Sequence, residues 1–268
     1  MALVLNLTPF RHGRKEEIGP LRFDTGSMIK EINIRKKMPE IAEKGFIISK
    51  RKGDTGIGYT LEEELGIAEN NERIQDLIFE GKKVELKAQR RSTVSPVTLF
   101  TKEPKKPGLS DRSMLEKYGY SDKDGRRALK VTLKADQPNL QGLELKINTK
   151  EGKLSIAHMT DGDLWFWDTS SLKLKIDNLL LAFADSKRVG ETESFHYNEA
   201  YYLSDFDQEK FFKLIDSGKI VVDLRMHLKS SGAVRNHGTA FRGKFQDFKV
   251  CYNKQESLSK LKSWRYWR

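Results

Sequence analysis

Cysteine is nearly absent from this sequence, since Cys251 is the single cysteine among 268 residues. One cysteine can form neither an intramolecular disulfide nor a cysteine-based zinc site. Long apolar runs are also missing, because no stretch approaches the roughly 20 apolar residues that span a membrane. The apolar run in residues 1–7 is too short for a signal peptide. We therefore expect a soluble, cytoplasmic protein with no membrane partner.

Acidic residues are fewer than basic ones, with 38 Asp+Glu against 49 Lys+Arg and a formal net charge of +11. The excess of basic residues lies at the two ends of the chain. Residues 1–54 carry 12 basic and 7 acidic side chains, residues 242–268 carry 8 and 2, and the remainder holds 29 of each. Basic flanks of this kind are typical of arms that grip a polyanion. Lysine-rich ends that merely aid solubility would have the same composition.

The most informative stretch is 76–87, Asp-Leu-Ile-Phe-Glu-Gly-Lys-Lys-Val-Glu-Leu-Lys, which predicts a β-hairpin with a turn at Glu80-Gly81. A two-residue turn would place Asp76 opposite Glu85, with Cβ atoms roughly 4.5–5.5 Å apart. Lys87 would share their face, while Leu86 would point into a core. Two carboxylates and an amine on one face suit metal-dependent hydrolysis of a phosphodiester. An exposed strand with mixed charge would show the same pattern.

A basic, glycine-rich loop at residues 50–58 precedes a helix that we predict to begin at Thr60, because Thr60-x-x-Glu63 is a capping box. No Gly-Lys-Ser/Thr follows the glycines, so the loop is not a Walker motif. Glu62 on this helix could point at the hairpin, or it could be an ordinary surface residue. An earlier helix is expected from Ser27 and should end at Pro39, with a further turn at Glu40–Lys44 that Gly45 stops.

The C-terminal half predicts strands, including 129–134, 142–148, 153–158 and Ile220–Leu228, and a helix at 207–217. Alternation in the strand at 220–228 separates Val222, Leu224 and Met226 from Asp223, Arg225 and His227. We expect Trp165 and Trp167 to be core residues rather than a base-stacking platform.

Three stretches together resemble the MvaI/BcnI family of restriction endonucleases, relatives of the mismatch-repair nicking enzyme MutH. They are Thr55-Gly-Ile-Gly-Tyr-Thr-Leu-Glu62, Glu85-Leu-Lys87 with Thr98-Leu-Phe-Thr-Lys102, and Val222-Asp-Leu-Arg225 with His237-Gly-Thr-Ala-Phe-Arg242. The resemblance spans roughly residues 46–245. It implies an α/β (α+β) fold of the PD-(D/E)xK type, a mixed sheet core flanked by helices, with the active site at one sheet edge.

The resemblance also implies residue roles. Asp76 and Glu85 would be metal-binding carboxylates, Lys87 the catalytic lysine and Glu62 the helix glutamate of the metal site, with Mg2+ as cofactor. His237 corresponds to a family histidine beside the scissile strand, although a structural histidine in a turn is an alternative. Arg225 and Arg242 match arginines that read guanine, although phosphate contact would also suit them. The further residues expected to contact DNA are Arg235, Asn236, Arg90, Arg91 and Lys102.

The implied protein is a monomeric type II restriction endonuclease that cuts double-stranded DNA at a pseudo-palindromic C-C-N-G-G type of site. A cognate DNA methyltransferase is expected in the same system. We expect an N-terminal arm with helices at 1–45, a nuclease domain at 46–250 and a basic tail at 251–268. Within that domain, the catalytic part should cover about 46–135 and the recognition part about 136–250. A partner-dependent nicking repair nuclease and a non-cleaving DNA-binding protein remain alternatives.

Overall fold

The computed structural model describes residues 29–67, 76–135 and 137–258. The expected basic arm of residues 1–26, Ser27 and most of the expected tail lie outside these ranges. The helices are α1 (Ile34–Glu43), α2 (Gly56–Leu65), α3 (Asp111–Tyr118), α4 (Thr169–Ile176), α5 (Gln208–Asp216) and α6 (Phe245–Phe248). No helix in this part of the chain is long and apolar enough to cross a membrane.

The strands form three sheets. In chain order they are β1 (Ile47–Ile48), β2 (Leu77–Phe79), β3 (Lys82–Arg90), β4 (Val97–Thr101), β5 (Tyr120–Ser121), β6 (Arg127–Leu133), β7 (Leu143–Asn148), β8 (Lys153–His158), β9 (Gly162–Asp168), β10 (Leu179–Val189), β11 (Thr192–Phe206), β12 (Val221–Leu228), β13 (Val234–Asn236), β14 (Ala240–Gly243) and β15 (Tyr252–Ser257). The predicted strands at 129–134, 142–148, 153–158 and 220–228 and the helix at 207–217 are confirmed to within two residues.

The first sheet has the order β1-β11-β10-β3-β2, with β15 paired to β11. It is mixed, because β3 and β10 run parallel while the other pairs are antiparallel. Helices α1 and α2 cover one face through buried residues that include Met38, Ile41 and Leu61. The opposite face presents Leu179 and Leu181 to a second core. The predicted mixed sheet flanked by helices is therefore confirmed.

The second sheet, β4-β14-β12-β6-β5 with β13 on β12, is antiparallel and packs one face into that second core. The third sheet, β7-β8-β9, closes the core with Trp165 and Trp167, both buried as expected. The three sheets do not coincide with the expected division into a catalytic part up to about residue 135 and a recognition part after it. Strands β4 and β6 join the second sheet, whereas β10 and β11 return to the first. The expected tail from residue 251 includes strand β15 of the first sheet.

Three predicted helix boundaries are wrong. Helix α1 begins at Ile34 and not near Ser27, because residues 29–33 are not helical and the Asn33 side chain caps the helix by accepting from Lys36 N. Helix α1 does not end at Pro39 but continues to Glu43. An interior proline costs a helix about 3 kcal/mol, and the burial of Met38 and Ile41 on either side of it offsets that loss. Helix α2 begins after Thr55 rather than at Thr60. Thr60 is fully buried inside the helix, where its hydroxyl accepts a hydrogen bond from Lys50 N at 2.9 Å.

Candidate active site

The hairpin of β2 and β3 has the two-residue turn that the sequence predicts. Glu80 and Gly81 both have positive φ, 50° and 71°, as a type I′ turn requires. Phe79 therefore pairs with Lys82, and Leu77 pairs with Val84. Asp76 directly precedes β2, and one further step of this register would place it opposite Glu85. Its Oδ2 accepts a hydrogen bond from Leu86 N at 2.6 Å, which holds the carboxylate against β3.

Glu85 and Lys87 lie on the same face of β3, as the strand period predicts. Lys87 Nζ donates to Glu85 Oε1 at 2.6 Å. Glu85 is buried, whereas the Lys87 side chain is 26% exposed. Leu86 points the other way and packs with α1 and α2 in the helix-covered core. The structure thus brings a carboxylate and an ammonium into direct contact beside Asp76.

Gln89 extends this row by one more strand period, and motif-based reasoning missed it. Its side chain is on the face of Glu85 and Lys87 and is only 8% exposed. Alternation along β3 is the signal that could have identified it. A buried amide on this face provides both a donor and an acceptor next to the lysine.

The row lies at an open edge of the first sheet. On one side β3 pairs with β10, where Glu85 faces Leu179 and Lys87 faces Leu181. On the other side β2 pairs only with residues 82–84. In the described part of the chain, no strand covers that side of β3 beyond Val84.

Glu62 lies in the second half of α2, not in its first turn, because the helix begins earlier than predicted. Leu61 and Leu65 anchor the helix in the core that also contains Leu86. Glu62 itself is partly exposed. Within the described ranges, no group of three or more His, Cys, Asp or Glu side chains is close enough to hold a metal ion. A metal site that includes Glu62 therefore stays a prediction.

A second polar surface lies on the outer face of the second sheet. Along β12, Val222, Leu224 and Met226 point into the core, as predicted. Asp223, Arg225 and His227 lie on the opposite face. Their register partners on β6 are Thr132, Lys130 and Ala128. We call this set, together with Arg242 of β14 and Arg235 and His237, the outer face of the second sheet.

Arg242 is oriented by the protein itself. Its Nη1 donates to Asp223 Oδ2 at 3.0 Å, and its Nη2 donates to the Pro96 carbonyl at 2.7 Å. Asp223 is 8% exposed and also accepts from the Thr132 hydroxyl at 2.7 Å. Strand alternation in the sequence predicted the face on which Asp223 lies, but it did not indicate Arg242 as the partner. Both terminal nitrogens of this guanidinium therefore have a protein partner that fixes its plane.

His237 is held above Arg225 by a tight loop. His237 N donates to the Arg225 carbonyl at 2.9 Å, and its ring stacks on His227 with centroids 5.3 Å apart. Asn236 stabilises the loop, because its Nδ2 donates to Asp111 at 3.1 Å and its Oδ1 accepts from Gly238 N at 2.8 Å. The Asn236 side chain, predicted to contact DNA, is thus engaged inside the protein.

Arg90 and Arg91 also have protein partners. Arg90 forms a bidentate ion pair with Glu193, at 2.7 and 2.8 Å. The hydrogen bond to Glu193 raises the pKa of Arg90. Arg91 donates to Asp185 at 3.0 Å. Lys102 is partly buried, and its main chain bonds to Thr239 and to the Trp167 indole. These contacts join the ends of β3 and β4 to neighbouring strands.

Comparison with known proteins gives one consistent picture. The model of the MvaI/BcnI restriction endonuclease family matches residues 35–252. Among solved structures, the complex of the restriction endonuclease MvaI with its cognate DNA substrate is 25% identical, with a TM-score of 0.67. MvaI in the absence of DNA is 22% identical, with a TM-score of 0.52. Each match covers 84% of this chain and 96% of the other. No curated protein matches the chain.

Proposed function

Because the chain belongs to the MvaI/BcnI restriction endonuclease family, and is thus a DNA nuclease, we propose that it is a type II restriction endonuclease. It cleaves double-stranded DNA by metal-dependent hydrolysis at a short pseudo-palindromic site of the C-C-N-G-G type. The observation that carries this proposal is a pair of contacts on adjacent residues of β3: Asp76 accepts from Leu86 N, and Lys87 donates to Glu85. It acts as a monomer, and a cognate methyltransferase protects the host's own sites.

The donor set fits Mg2+. This ion prefers oxygen ligands and is usually bound by one or two carboxylates, with water and substrate phosphate completing its shell. Asp76 and Glu85 would supply the two carboxylates, and Glu62 would support the outer shell or a second ion. When bound, the ion neutralises charge at the scissile phosphate and makes the attacking water more acidic.

Lys87 orients the reactants. An ammonium has three N–H donors, and Glu85 accepts one of them at 2.6 Å. The remaining donors can bind the attacking water or a phosphate oxygen. Glu85 is buried, so its contact with Lys87 is shielded from bulk water and keeps the ammonium close to the carboxylates. Asp76 is fixed in the same way by Leu86 N.

The outer face of the second sheet reads the DNA sequence. Arg225 and Arg242 bind guanine O6 and N7 in the major groove, a contact worth about 1–3 kcal/mol of discrimination. His237 lies beside the scissile strand, and Arg235, which is exposed, binds phosphate. Lys102 supports the backbone contacts. MvaI, a structural relative, has been solved with cognate DNA, which supports a DNA substrate. Arg90, Arg91 and Asn236 would contribute directly only after exchanging their protein partners.

The test is incubation of the purified protein with a long DNA of known sequence and Mg2+, with and without chelator. We expect discrete, chelator-sensitive fragments, whose ends give the site and the cut position. Lys87→Ala should abolish cleavage, whereas Lys82→Ala, an exposed lysine at the hairpin turn, should preserve it. Nicked circles alone would favour a repair-type nuclease. Salt-dependent binding without cleavage would favour a DNA-binding protein.

A further inference from the structure

The outer face of the second sheet contains unsatisfied nitrogens. In the described residues, the buried side-chain nitrogen or oxygen atoms without a hydrogen-bond partner are Arg225 Nε, His227 Nδ1 and Arg242 Nε. All three belong to this one face. Buried polar atoms in folded proteins are nearly always paired. Three such atoms on one face mark it as a surface whose polar groups are incompletely paired within the described residues. Two of them belong to the proposed guanine-reading arginines, which leaves His227 unexplained.

His227 is the platform on which His237 rests. Its register partners are Ala128 on β6 and Arg235 on β13. The two imidazole rings lie 5.3 Å apart at an interplanar angle of 28°. His237 is exposed and is otherwise held by its main-chain bond to Arg225. The stack with His227 therefore restricts the orientation of the His237 ring.

The histidine pair is surrounded mainly by cations. Arg126, Lys130 and Arg235 face His227, and burial together with these charges lowers its pKa. Desolvation and the charges of Arg235, Arg225 and Lys130 lower the pKa of His237 in the same way. Nearby carboxylates belong to Asp122, which binds Arg126 at 2.9 Å and Lys130 at 3.6 Å, and to Asp124, which binds Arg126 at 2.8 Å. Burial and these charges therefore disfavour the protonated form of both rings in the free protein.

We propose that His227 is a positioning residue for sequence recognition: its ring holds His237 against the DNA, and the imidazole pair gains one proton when DNA phosphates arrive. This rests on the proposed DNA-binding function of the same face. Phosphates would offset the charges of Arg126, Lys130 and Arg235, so the protonated ring would no longer be penalised. A proton bound on one imidazole can be donated to phosphate or to a base acceptor.

Proton uptake has a measurable consequence. Protonation is favoured in the complex and disfavoured in the free protein, so DNA binds more tightly at low pH and more weakly as pH rises. One linked proton changes the dissociation constant by up to about tenfold per pH unit. A purely structural role for His227 would shift affinity equally at every pH.

The experiment is a fluorescence-anisotropy titration of a labelled duplex carrying one cleavage site, in chelator and at constant ionic strength. It covers about pH 5.5 to 8, where histidine titrates. The wild type should show the pH slope. His227→Phe keeps an aromatic ring for stacking and removes the proton site, so we expect site-specific binding to persist with a smaller slope. His227→Ala should lose preference over a duplex without the site.

The matched control is His196→Phe, which removes a histidine bonded to the Ala42 carbonyl in the first sheet and should leave the slope unchanged. A His227→Phe slope equal to that of the wild type would overturn the proton linkage. Unchanged site preference in His227→Ala would overturn the positioning role. Absence of DNA binding by the wild type at every pH would instead overturn the proposed function on which both rest.

Discussion

Replacing Arg242 tests whether this side chain reads DNA or only supports the fold. Arg242→Ala removes the partner of Asp223, whose carboxylate is 8% exposed and would keep only the Thr132 hydroxyl as a side-chain partner. It also removes the guanidinium proposed to bind guanine. The two effects can be separated, because the first is a property of the free protein and the second requires DNA.

The first effect is a change in unfolding free energy, and the second is a change in the preference for the cognate site. Breaking a fully buried ion pair by removing one partner costs about 3–5 kcal/mol. The Arg242 side chain is 36% exposed, so solvent screens this pair and we expect a loss of about 1–2 kcal/mol in unfolding free energy. Loss of a bidentate guanine contact removes about 1–3 kcal/mol of discrimination, or roughly 5- to 150-fold in site preference.

The assay combines urea unfolding with cleavage of the cognate site and of single-base variants. In the double variant Arg242→Ala/Asp223→Asn the buried charge is gone, so stability should recover by at least half. Site preference should stay lost. Arg112→Ala, which removes an exposed arginine paired with Glu116 on α3, should change neither property. Recovery of site preference in the double variant would refute direct readout by Arg242.

Three further predictions concern other parts of the molecule. Gly81→Val and Gly190→Val each strain a positive-φ turn, at a cost of about 1–3 kcal/mol, so thermal melts should show similar losses. Cleavage should fall further for Gly81→Val, because its turn positions the candidate site; equal losses of cleavage would contradict the hairpin's role. Gln89→Leu should lower kcat by roughly tenfold or more with little change in KM. An unchanged kcat would mean that Gln89 only packs in the core and takes no part in catalysis. Hydrogen bonding to Tyr118 lowers the pKa of Asp161 from 3.8 to about 2. The stability that Asp161 contributes is therefore present above its ordinary pKa and lost as pH falls through its folded pKa, so the advantage over Asp161→Asn in unfolding midpoint should shrink between those values; a constant gap would contradict this.

Local sequence determined the core of the candidate site. A Glu-Gly turn in the left-handed region fixes a two-residue hairpin, and its register places Leu77 opposite Val84 and so brings Asp76 to the end of the paired segment. Strand alternation likewise separated Asp223, Arg225 and His227 from the core side of β12. Such patterns are readable from sequence because turn conformation and strand period are properties of the backbone within a few residues. Membership of the family was also carried by short local motifs.

Tertiary packing decided the rest. Thr60 has a strong capping signature, but it is buried and its hydroxyl accepts from Lys50 N instead of capping the helix. Ile57 packs in the core, and α2 begins one turn earlier, after Thr55. Pro39 likewise remained inside α1 because its neighbours are buried. Both outcomes depend on what packs against the helix, and a local propensity of a few kcal/mol is overridden by burial.

The partners of charged side chains were also beyond sequence reasoning. Arg90 meets Glu193 across 103 positions of the chain, and Arg242 meets Asp223 only because β14 pairs with β12. The stacking of His227 on His237 depends on a loop that Asn236 ties to α3. Sequence thus determined which residue types lie on each face. Only the tertiary structure decided which of them are already paired, because ion pairs form between segments that long-range strand pairing brings together.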